Sequence, residues 1–434
     1  MDGETNRDTT RLTLGSLARV EGEGRLAFTV RHGRVEAAEL NIYEPPRFFE
    51  SFLRGRDFRE PPDITSRICG ICPVAYQVSA CNAIEQACGA HLTQPILDLR
   101  RLLYCGEWIA SHTLQIYLLH APDFLGAADA IELARIARPD VERGLALKKA
   151  GNAILDMIGG RSIHPVNVRL GGFYRAPTSS ELAPLAEQLH RALDDALATV
   201  QWVSHFEIPD AEVDTELLAL AQPGRYAIED GVLTNTSGSS FAPEEFCDHV
   251  AEQQVPHSTA LHAHLDGQAY LTGPLARYSL HSADLSETAR QAATEAGLGT
   301  VCRNPFQSIV IRAVETVFAV DEALRLIREY YRPESPYVDM SPRAATGYGV
   351  SEAPRGVLYH RYQLDSEGLI LRATIIPPTS QNQAAIENDL RNTLAANLRL
   401  TDAELTGLCE RTIRNYDPCI SCATHFLDVT INRA

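Results

Sequence analysis

The chain has 434 residues, of which 45% are hydrophobic and 22% charged, the proportions of an ordinary globular protein. Its formal net charge of −17 argues against binding of nucleic acid, because the phosphate backbone would repel it. No run of about 18 apolar residues occurs, so no membrane span is predicted. The polar, acidic N-terminus is unlike a secretory signal, which favours the cytoplasm unless an associated chain carries an export signal for both.

Residues 1–60 form a first region, which is predicted to be β structure. Apolar and polar residues alternate over 11–43, and His32 and Gly33 can form a turn between two strands. A loop rich in proline, arginine and phenylalanine then leads into the next region.

The region 61–210 has the apolar periodicity of long amphipathic helices. Helices are predicted over residues 73–90, 96–119, 126–158 and 180–205. We expect Pro122 to end the second helix, Pro139 to interrupt the third, and Gly159 with Gly160 to stop it. Such helices can bury their apolar faces against one another in a bundle.

The remaining chain mixes both kinds of structure. Residues 211–280 are predicted to be β-rich, with a hairpin over 226–235 in which Asp230 and Gly231 form a type I′ turn. The region 281–425 is predicted to hold helices at 285–297 and 308–332, a hairpin at 356–376 that turns at 365–368, and a last helix at 381–397. Together, residues 1–434 are expected to form one domain of the α+β class, mainly α, with a central bundle of long helices and peripheral β hairpins.

Two Cys-x-x-Cys pairs, one near each end of the chain, carry the strongest chemical signal. The first joins Cys69 and Cys72, and the second joins Cys419 and Cys422. Thiolates bind soft transition metals, and four of them can hold one ion or cluster. Ten cysteines in a long chain without a secretory signal favour metal ligation and buried thiols over disulfides. Spacing alone leaves a structural zinc site and a redox-active metal centre equally open.

The residues around these cysteines resemble the two signatures of the large subunit of nickel–iron (NiFe) hydrogenases. These are Arg-Ile-Cys-Gly-Ile-Cys at 67–72 and Asp-Pro-Cys-x-x-Cys-x-x-His at 417–425. Further segments that resemble family motifs lie at 19–22, 49–57, 164–172 and 352–356, so the resemblance spans nearly the whole chain. Within the family, 73–77 and 270–277 are most similar to the cytosolic NAD(P)-linked members, including the sulfhydrogenase alpha type. Tyr76 and Glu23 stand where many members have histidine, which changes the expected hydrogen bonding around the site.

The resemblance implies a nickel–iron centre whose iron carries carbon monoxide and cyanide, and an enzyme that cleaves dihydrogen reversibly and heterolytically. Cys69 and Cys419 would be terminal ligands to nickel, while Cys72 and Cys422 would bridge nickel to iron. The flanking motifs favour this centre over structural zinc, because a zinc site requires none of them.

The same resemblance assigns residues to the pocket beside the metals. Arg355 would act in catalysis, bonding to a cyanide or easing proton transfer, and Asp417 would fix it through a charge-assisted bond. Pro354 and Thr379 would line the pocket for the diatomic ligands.

Proton transfer and a second metal are implied as well. The proton would go to Cys419 or to Arg355 and leave through Glu21, although the local sequence by itself favours a solvated glutamate in a β turn. Glu50 and His425 resemble the ligands of a magnesium, or similar cation, site that ties the C-terminus to the interior. For His425, a simple position at a helix end is the alternative.

The resemblance also implies partners. Iron–sulfur clusters would lie only in a small subunit, and diaphorase subunits that bind FAD and NAD(P) would exchange the electrons. A maturation protease would remove the tail 426–434. A dihydrogen-sensing relative and a structural zinc-binding scaffold remain alternatives, whereas the four cysteines argue against a quinone-site subunit. The choice between NAD and NADP, the physiological direction, oxygen tolerance and sulfur reduction stay open.

Overall fold

The computed structural model describes residues 9–424, with side chains described for residues 17–424. Helices occupy about half of this chain and fall into long core helices and short connecting ones. The helices are α1 Phe49–Leu53, α2 Pro61–Thr65, α3 Pro73–Cys88, α4 Gln94–Leu114, α5 Ala121–Leu125, α6 Ala130–Ile136, α7 Arg138–Gly159, α8 Ser179–Ser204, α9 Phe246–His249, α10 Pro274–His281, α11 Glu287–Glu295, α12 Ser308–Arg328, α13 Pro378–Asn397, α14 Asp402–Asn415 and α15 Ile420–Ala423. A π-helical segment covers Gln115–His120, and 3-10 turns cover Ser66–Ile68, Pro243–Glu245, Ser282–Asp284 and Pro305–Gln307.

The strands form small separate sheets around the helices. They are β1 Thr9–Ser16, β2 Gly24–Arg31, β3 Arg34–Ile42, β4 Val168–Arg169, β5 Gly172–Phe173, β6 Glu216–Ala221, β7 Val232–Asn235, β8 Ser240–Phe241, β9 Val250–Gln254, β10 Leu261–Leu265, β11 Tyr270–Leu271, β12 Ala345–Ala353, β13 Gly356–Leu364 and β14 Ile370–Ile376. The orders are β1-β2-β3, β11-β6-β7-β8 and β12-β13-β14, with β4 paired to β5 and β9 to β10. All pairings are antiparallel except that of β11 with β6.

The long helices α4, α7, α8 and α12 pack side by side and form the core. Glycines allow α4 and α7 to approach closely: a Cβ on Gly151 would lie 2.7 Å from the backbone nitrogen of Ala110. Trp108 of α4 is fully buried and donates its indole N–H to the carbonyl oxygen of Glu352, 2.9 Å away on β12. The predicted fold class, a helical bundle with peripheral hairpins, is confirmed.

Most predicted elements are observed, and three differ. The expected end at Pro122 is wrong, because the π-helical segment leads directly into α5, which ends at Gly126 with φ 68°. Pro122 lies in the first turn of α5, where a backbone N–H is not needed. The predicted last helix is followed by α14, which begins with a capping box between Thr401 and Glu404. Thr401 and Glu404 have the spacing of a capping box, so the sequence itself carries a signal for this additional helix.

The predicted hairpin over 226–235 is also wrong. β7 pairs with β6, and residues 222–231 form the connection between them. Tertiary donors take the carbonyl oxygens in this connection: Arg101 binds that of Tyr226 at 2.9 Å, and the backbone N–H of Glu352 binds that of Ile228 at 2.7 Å. The segment is therefore held by side chains and a distant strand, and its local turn signal is overridden.

This architecture brings the two ends of the chain together at one end of the bundle. The first cysteine pair lies between a 3-10 turn and α3, and the second lies at α15. The start of α13 and the β12–β13 turn supply the residues beside them. In the part of the chain that is described, no helix is long and apolar enough to cross a bilayer.

Candidate metal centre

Short turns present the four cysteine side chains to one point. Cys69 follows the 3-10 turn Ser66–Ile68, and its Sγ accepts the backbone N–H groups of Ile71 and Cys72, each at 3.3 Å. Cys72 directly precedes α3, which starts with a proline, and Cys419 directly precedes α15. Each pair thus combines one sulfur before a helical turn with a second sulfur three residues away.

The four sulfur atoms lie within 4.8 Å of one another, although Cys69 and Cys419 are 350 residues apart in sequence. The Sγ–Sγ distances are 3.5 Å from Cys69 to Cys419, 3.8 Å from Cys72 to Cys422, and 2.8 Å from Cys419 to Cys422. Each cysteine is at most 3% exposed. This is a closed, four-sulfur donor set built from both ends of the chain.

Burial makes this cluster dependent on positive charge. It raises the pKa of Cys419 well above the usual value, while hydrogen bonding, first of all with Cys419, lowers that of Cys69. Four adjacent thiolates in a dry interior repel one another, so full deprotonation requires a multivalent cation. The donor set therefore fits one soft metal centre.

Arg355, on the tight turn between β12 and β13, is a permanent cation close to the sulfurs. Its Nε donates to the backbone oxygen of Asp417 at 2.8 Å, and its Nη2 donates to Oδ1 at 3.1 Å. Burial lowers the pKa of Arg355, but Asp417 and the cysteine sulfurs outweigh this and hold it well above its usual value. Arg355 Nη1 and Asp417 Oδ2 are buried with no hydrogen-bond partner among the described side chains. The guanidinium can therefore bind one further acceptor.

Glu21 lies beside Cys419, which the sequence predicted as its proton donor. Its Oε2 is 3.2 Å from Cys419 Sγ and also accepts the backbone N–H of Ser421 at 3.0 Å. The backbone of Glu21 forms a bridge with Cys419 and accepts the N–H of Ile420 at 3.0 Å. Gly22, with φ 92°, permits this approach, since a Cβ there would lie 2.6 Å from the Ile420 Cβ. The alternative of a solvated glutamate does not describe this contact.

The two residues predicted to line the pocket, Thr379 and Pro354, each lie next to a residue of the site. Thr379, in the first turn of α13, accepts the backbone N–H of Cys419 on its Oγ1 at 3.1 Å. Pro354 is buried directly before Arg355, and its carbonyl oxygen accepts a bond of 3.0 Å from Arg277.

Arg277 is one of several supporting residues that the sequence prediction missed. Its side chain also bonds Glu315 at 2.8 Å and Glu352 at 2.9 Å, and all three are buried. Arg277 therefore fixes the end of β12, directly before Arg355, through its carbonyl oxygens. The sequence around Arg277 indicates only a subtype of the family, because nothing local ties this residue to the site.

Two further supports act on the cysteine segments themselves. Glu107, buried on α4, accepts the backbone N–H groups of Val74 at 2.6 Å and Ala75 at 3.1 Å, and so caps α3 directly after Cys72. Burial raises the pKa of Glu107 well above its usual value. Arg47 donates to the carbonyl oxygens of Ile68, at 2.8 Å, and Ser421, which ties the two segments together.

The predicted hard-cation site is only partly described. Glu50, half-buried on α1, accepts the backbone N–H of Ile375 at 2.6 Å. Burial raises the pKa of Glu252 to about 8, and the nearby Glu50 carboxylate adds to the shift, so a second carboxyl that the sequence did not reveal lies close by. His425 and the tail 426–434 lie outside the described residues.

The sequence matches the family model described as Nickel-dependent hydrogenase over residues 47–139 and 262–425, which includes both cysteine pairs. The chain belongs to this family. Sulfhydrogenase 1 subunit alpha of Pyrococcus furiosus is 32% identical to this hydrogenase, over 95% of this chain and 97% of that protein. Sulfhydrogenase 2 subunit alpha of the same organism is 33% identical, over 96% and 99%.

Solved structures of hydrogenases share this fold. A NAD+-reducing NiFe hydrogenase in the H2-reduced state superimposes with a TM-score of 0.85 at 26% identity, covering 96% of this chain and all of that one. A NiFeSe hydrogenase of Dm. baculatum gives 0.78 at 20% identity, which supports the fold alone. The chain is the catalytic large subunit of a NiFe hydrogenase, and the buried sulfur cluster is its candidate metal centre.

Proposed function

We propose that this chain oxidises and forms dihydrogen at a nickel–iron centre held by Cys69, Cys72, Cys419 and Cys422, and exchanges the electrons with NAD(P) through partner subunits. The observation that carries the proposal is the buried set of four sulfurs within 4.8 Å, flanked on one side by a carboxylate and on another by a guanidinium. When bound, the centre supplies soft metals at which dihydrogen is polarised and split.

Cys419 and Glu21 form the proton route in this proposal. Cys419 Sγ receives the proton, and Glu21 Oε2 takes it across the 3.2 Å that separates the two atoms. The backbone N–H of Ser421 donates to the same oxygen and orients it, so the acceptor is held in place before the proton arrives. Ser421 Oγ in turn bonds Glu44 at 3.1 Å, which offers a polar continuation toward the exterior.

Arg355 orients and stabilises the charged site. Its two bonds to Asp417 fix the guanidinium plane, and the free Nη1 matches an acceptor such as the nitrogen of an iron-bound cyanide. Pro354 and Thr379 would line the pocket for carbon monoxide and cyanide, which are the further iron ligands in this proposal. The cation of Arg355 also offsets part of the negative charge of the thiolates.

Similarity supports the NAD(P) linkage and the partners. The NAD+-reducing hydrogenase, which matches 96% of this chain, supports the NAD(P) linkage. The sulfhydrogenase subunits match over nearly their full length and support the role of large subunit. Burial raises the pKa of Cys81, Cys105 and Cys409 to about 12, as expected of packing thiols. Iron–sulfur clusters are therefore assigned to a small subunit, and FAD and NAD(P) to diaphorase subunits, in a cytoplasmic hetero-oligomer.

The C-terminus completes the proposal. Glu50 would bind magnesium or a similar hard cation together with His425, and Glu252 would lie close to that ion. A maturation protease would remove 426–434 once the metals are in place. Intact-mass analysis of active enzyme would show a chain that ends at His425, and active enzyme that still contains Arg433 would reject the cleavage.

The decisive test is the purified complex of this chain with its partner subunits. We expect nickel and iron in equal amounts, infrared bands of metal-bound carbon monoxide and cyanide, and dihydrogen-dependent reduction of NAD+ or NADP+. Zinc alone would identify a scaffold and end the proposal. Fast turnover with a viologen dye but none with either nucleotide would reject only the proposed linkage to NAD(P). Very slow turnover would indicate a dihydrogen sensor.

A further inference from the structure

A second cluster of metal-binding side chains lies away from the cysteines. It consists of His257 in the loop between β9 and β10, His262 on β10, and Glu387 on α13. One ligand atom from each lies within 4.8 Å of the others. Glu387 is two helical turns beyond Thr379, about 12 Å along α13, so the cluster is separate from the four sulfurs.

The distances within the cluster suit ligands around one ion. His257 Nε2 is 2.7 Å from Glu387 Oε1, whereas His262 Nδ1 is 3.9 Å from Glu387 Oε2. The second distance is too long for a hydrogen bond. It is within the span of two donors that bind the same cation, because each nitrogen or oxygen would lie about 2.0–2.2 Å from zinc.

His262 lacks the hydrogen bond that a structural histidine would be expected to make. It is 3% exposed, and its Nε2 has no partner among the described residues. Its other ring nitrogen, Nδ1, faces the Glu387 carboxylate at 3.9 Å without a hydrogen bond, and it is the nitrogen that would bind the ion. Burial also favours the neutral imidazole, which is the form that binds metals.

The scaffold around the cluster is already ordered. Glu387 Oε1 accepts the backbone N–H of Leu40 on β3 at 2.8 Å, which orients the carboxylate. The loop is tied to the end of β3 by Thr259, whose backbone N–H donates to the carbonyl oxygen of Ile42 at 2.8 Å. Gln254 donates to the carbonyl oxygen of Ser258 at 2.8 Å and closes the loop. Contacts from β3 and from Gln254 of β9 thus hold Glu387 and the loop in place before any ion binds.

We propose that His257, His262 and Glu387 form a second cation site, which takes zinc or a similar borderline transition metal and joins the β9–β10 hairpin to α13 and β3. Two imidazoles and one carboxylate are the donor set that zinc accepts with a fourth position for water. Bound metal stabilises the folded chain, since the ligands come from parts of the sequence more than a hundred residues apart.

The test uses the full chain in its complex, stripped with a chelator and equilibrated with zinc alone. We compare the wild type with His257→Gln and Glu387→Gln, and use His249→Gln as a matched control. His249 lies at the opposite end of the same hairpin, outside the cluster, where its ring stacks on Phe241 and its Nδ1 is 3.1 Å from Asp266. Bound zinc, nickel and iron are measured by elemental analysis after desalting.

We expect the wild type and the control to retain one zinc more per chain than the other two variants, which should bind zinc at least about 100-fold more weakly. Nickel, iron and dihydrogen turnover should be equal in all four, so failure of this site is distinguishable from failure of the catalytic proposal. Equal zinc in all four proteins, or equal loss in the control, would overturn the inference.

X-ray absorption of the zinc-loaded wild type decides the matter even where a variant does not fold. Nitrogen and oxygen ligands, with imidazole scattering, support the site. A zinc spectrum with sulfur ligands only would place the ion at the cysteines and refute the assignment.

Discussion

Replacement of Glu21 by glutamine tests the proton route directly. The substitution keeps an oxygen that can accept the backbone N–H of Ser421, now 3.0 Å from Oε2, and it leaves the backbone bridge to Cys419 unchanged. The structure should therefore persist. An amide cannot take up the proton from Cys419 Sγ, 3.2 Å away.

The magnitude follows from the loss of a positioned proton acceptor. Such groups contribute about 10²- to 10⁴-fold to rate, equivalent to about 3–5 kcal/mol of activation free energy. The other nearby carboxylate, Glu44, accepts the hydroxyl of Ser421 at 3.1 Å and makes no hydrogen bond with Cys419 among the described residues, so it offers no direct replacement. We expect Glu21→Gln to lower dihydrogen oxidation at least about 100-fold.

The assay is dihydrogen uptake by the purified complex with a viologen dye, together with its nickel and iron content and infrared spectrum. Glu23→Gln is the matched control, because Glu23 is exposed and lies two residues away. Metal content and infrared bands should be the same in both variants. Turnover of Glu21→Gln within twofold of the wild type, with the metals fully loaded, would refute the route.

Three further outcomes are expected. Arg355→Lys loses both bonds to Asp417, and should lower the free energy of unfolding by about 2 kcal/mol and dihydrogen uptake about 100-fold, measured by denaturant titration and viologen assay. Gly347→Ala places a Cβ 1.9 Å from a backbone oxygen of α3 and should lower the free energy of unfolding in urea by about 3 kcal/mol or more. Gly407→Ala has open space around it and should raise that free energy by up to about 1 kcal/mol, because alanine favours the helical conformation of α14. Burial lowers the pKa of His120 from 6.5 to about 3, so between these two pH values only the unfolded chain gains this proton, and the free energy of unfolding decreases as the pH is lowered. His120→Gln should remove about 3 kcal/mol of that decrease at about pH 4.5, measured by denaturation across pH.

Local pattern was sufficient for the helices and for the type of ligand. The helices α3, α8 and α12 follow from apolar periodicity, and Pro73 and Gly89 mark the two ends of α3, because these signals act within a few residues. The two Cys-x-x-Cys pairs predicted soft-metal ligation for the same reason, because each pair is a local motif. The hairpin predicted over 226–235 is wrong because distant groups donate hydrogen bonds to the carbonyl oxygens of this segment, and no local rule can anticipate them.

The meeting of side chains from distant segments was settled only by packing of the whole chain. The sulfur cluster joins residues 350 positions apart, and Glu21 reaches Cys419 across 398. His257, His262 and Glu387 carry no motif at all, and they converge because a hairpin packs on α13. Periodicity and spacing describe residues that are neighbours along the chain, whereas a binding site consists of residues that are neighbours in space. Burial of the common hydrophobic core is what brings these distant segments together.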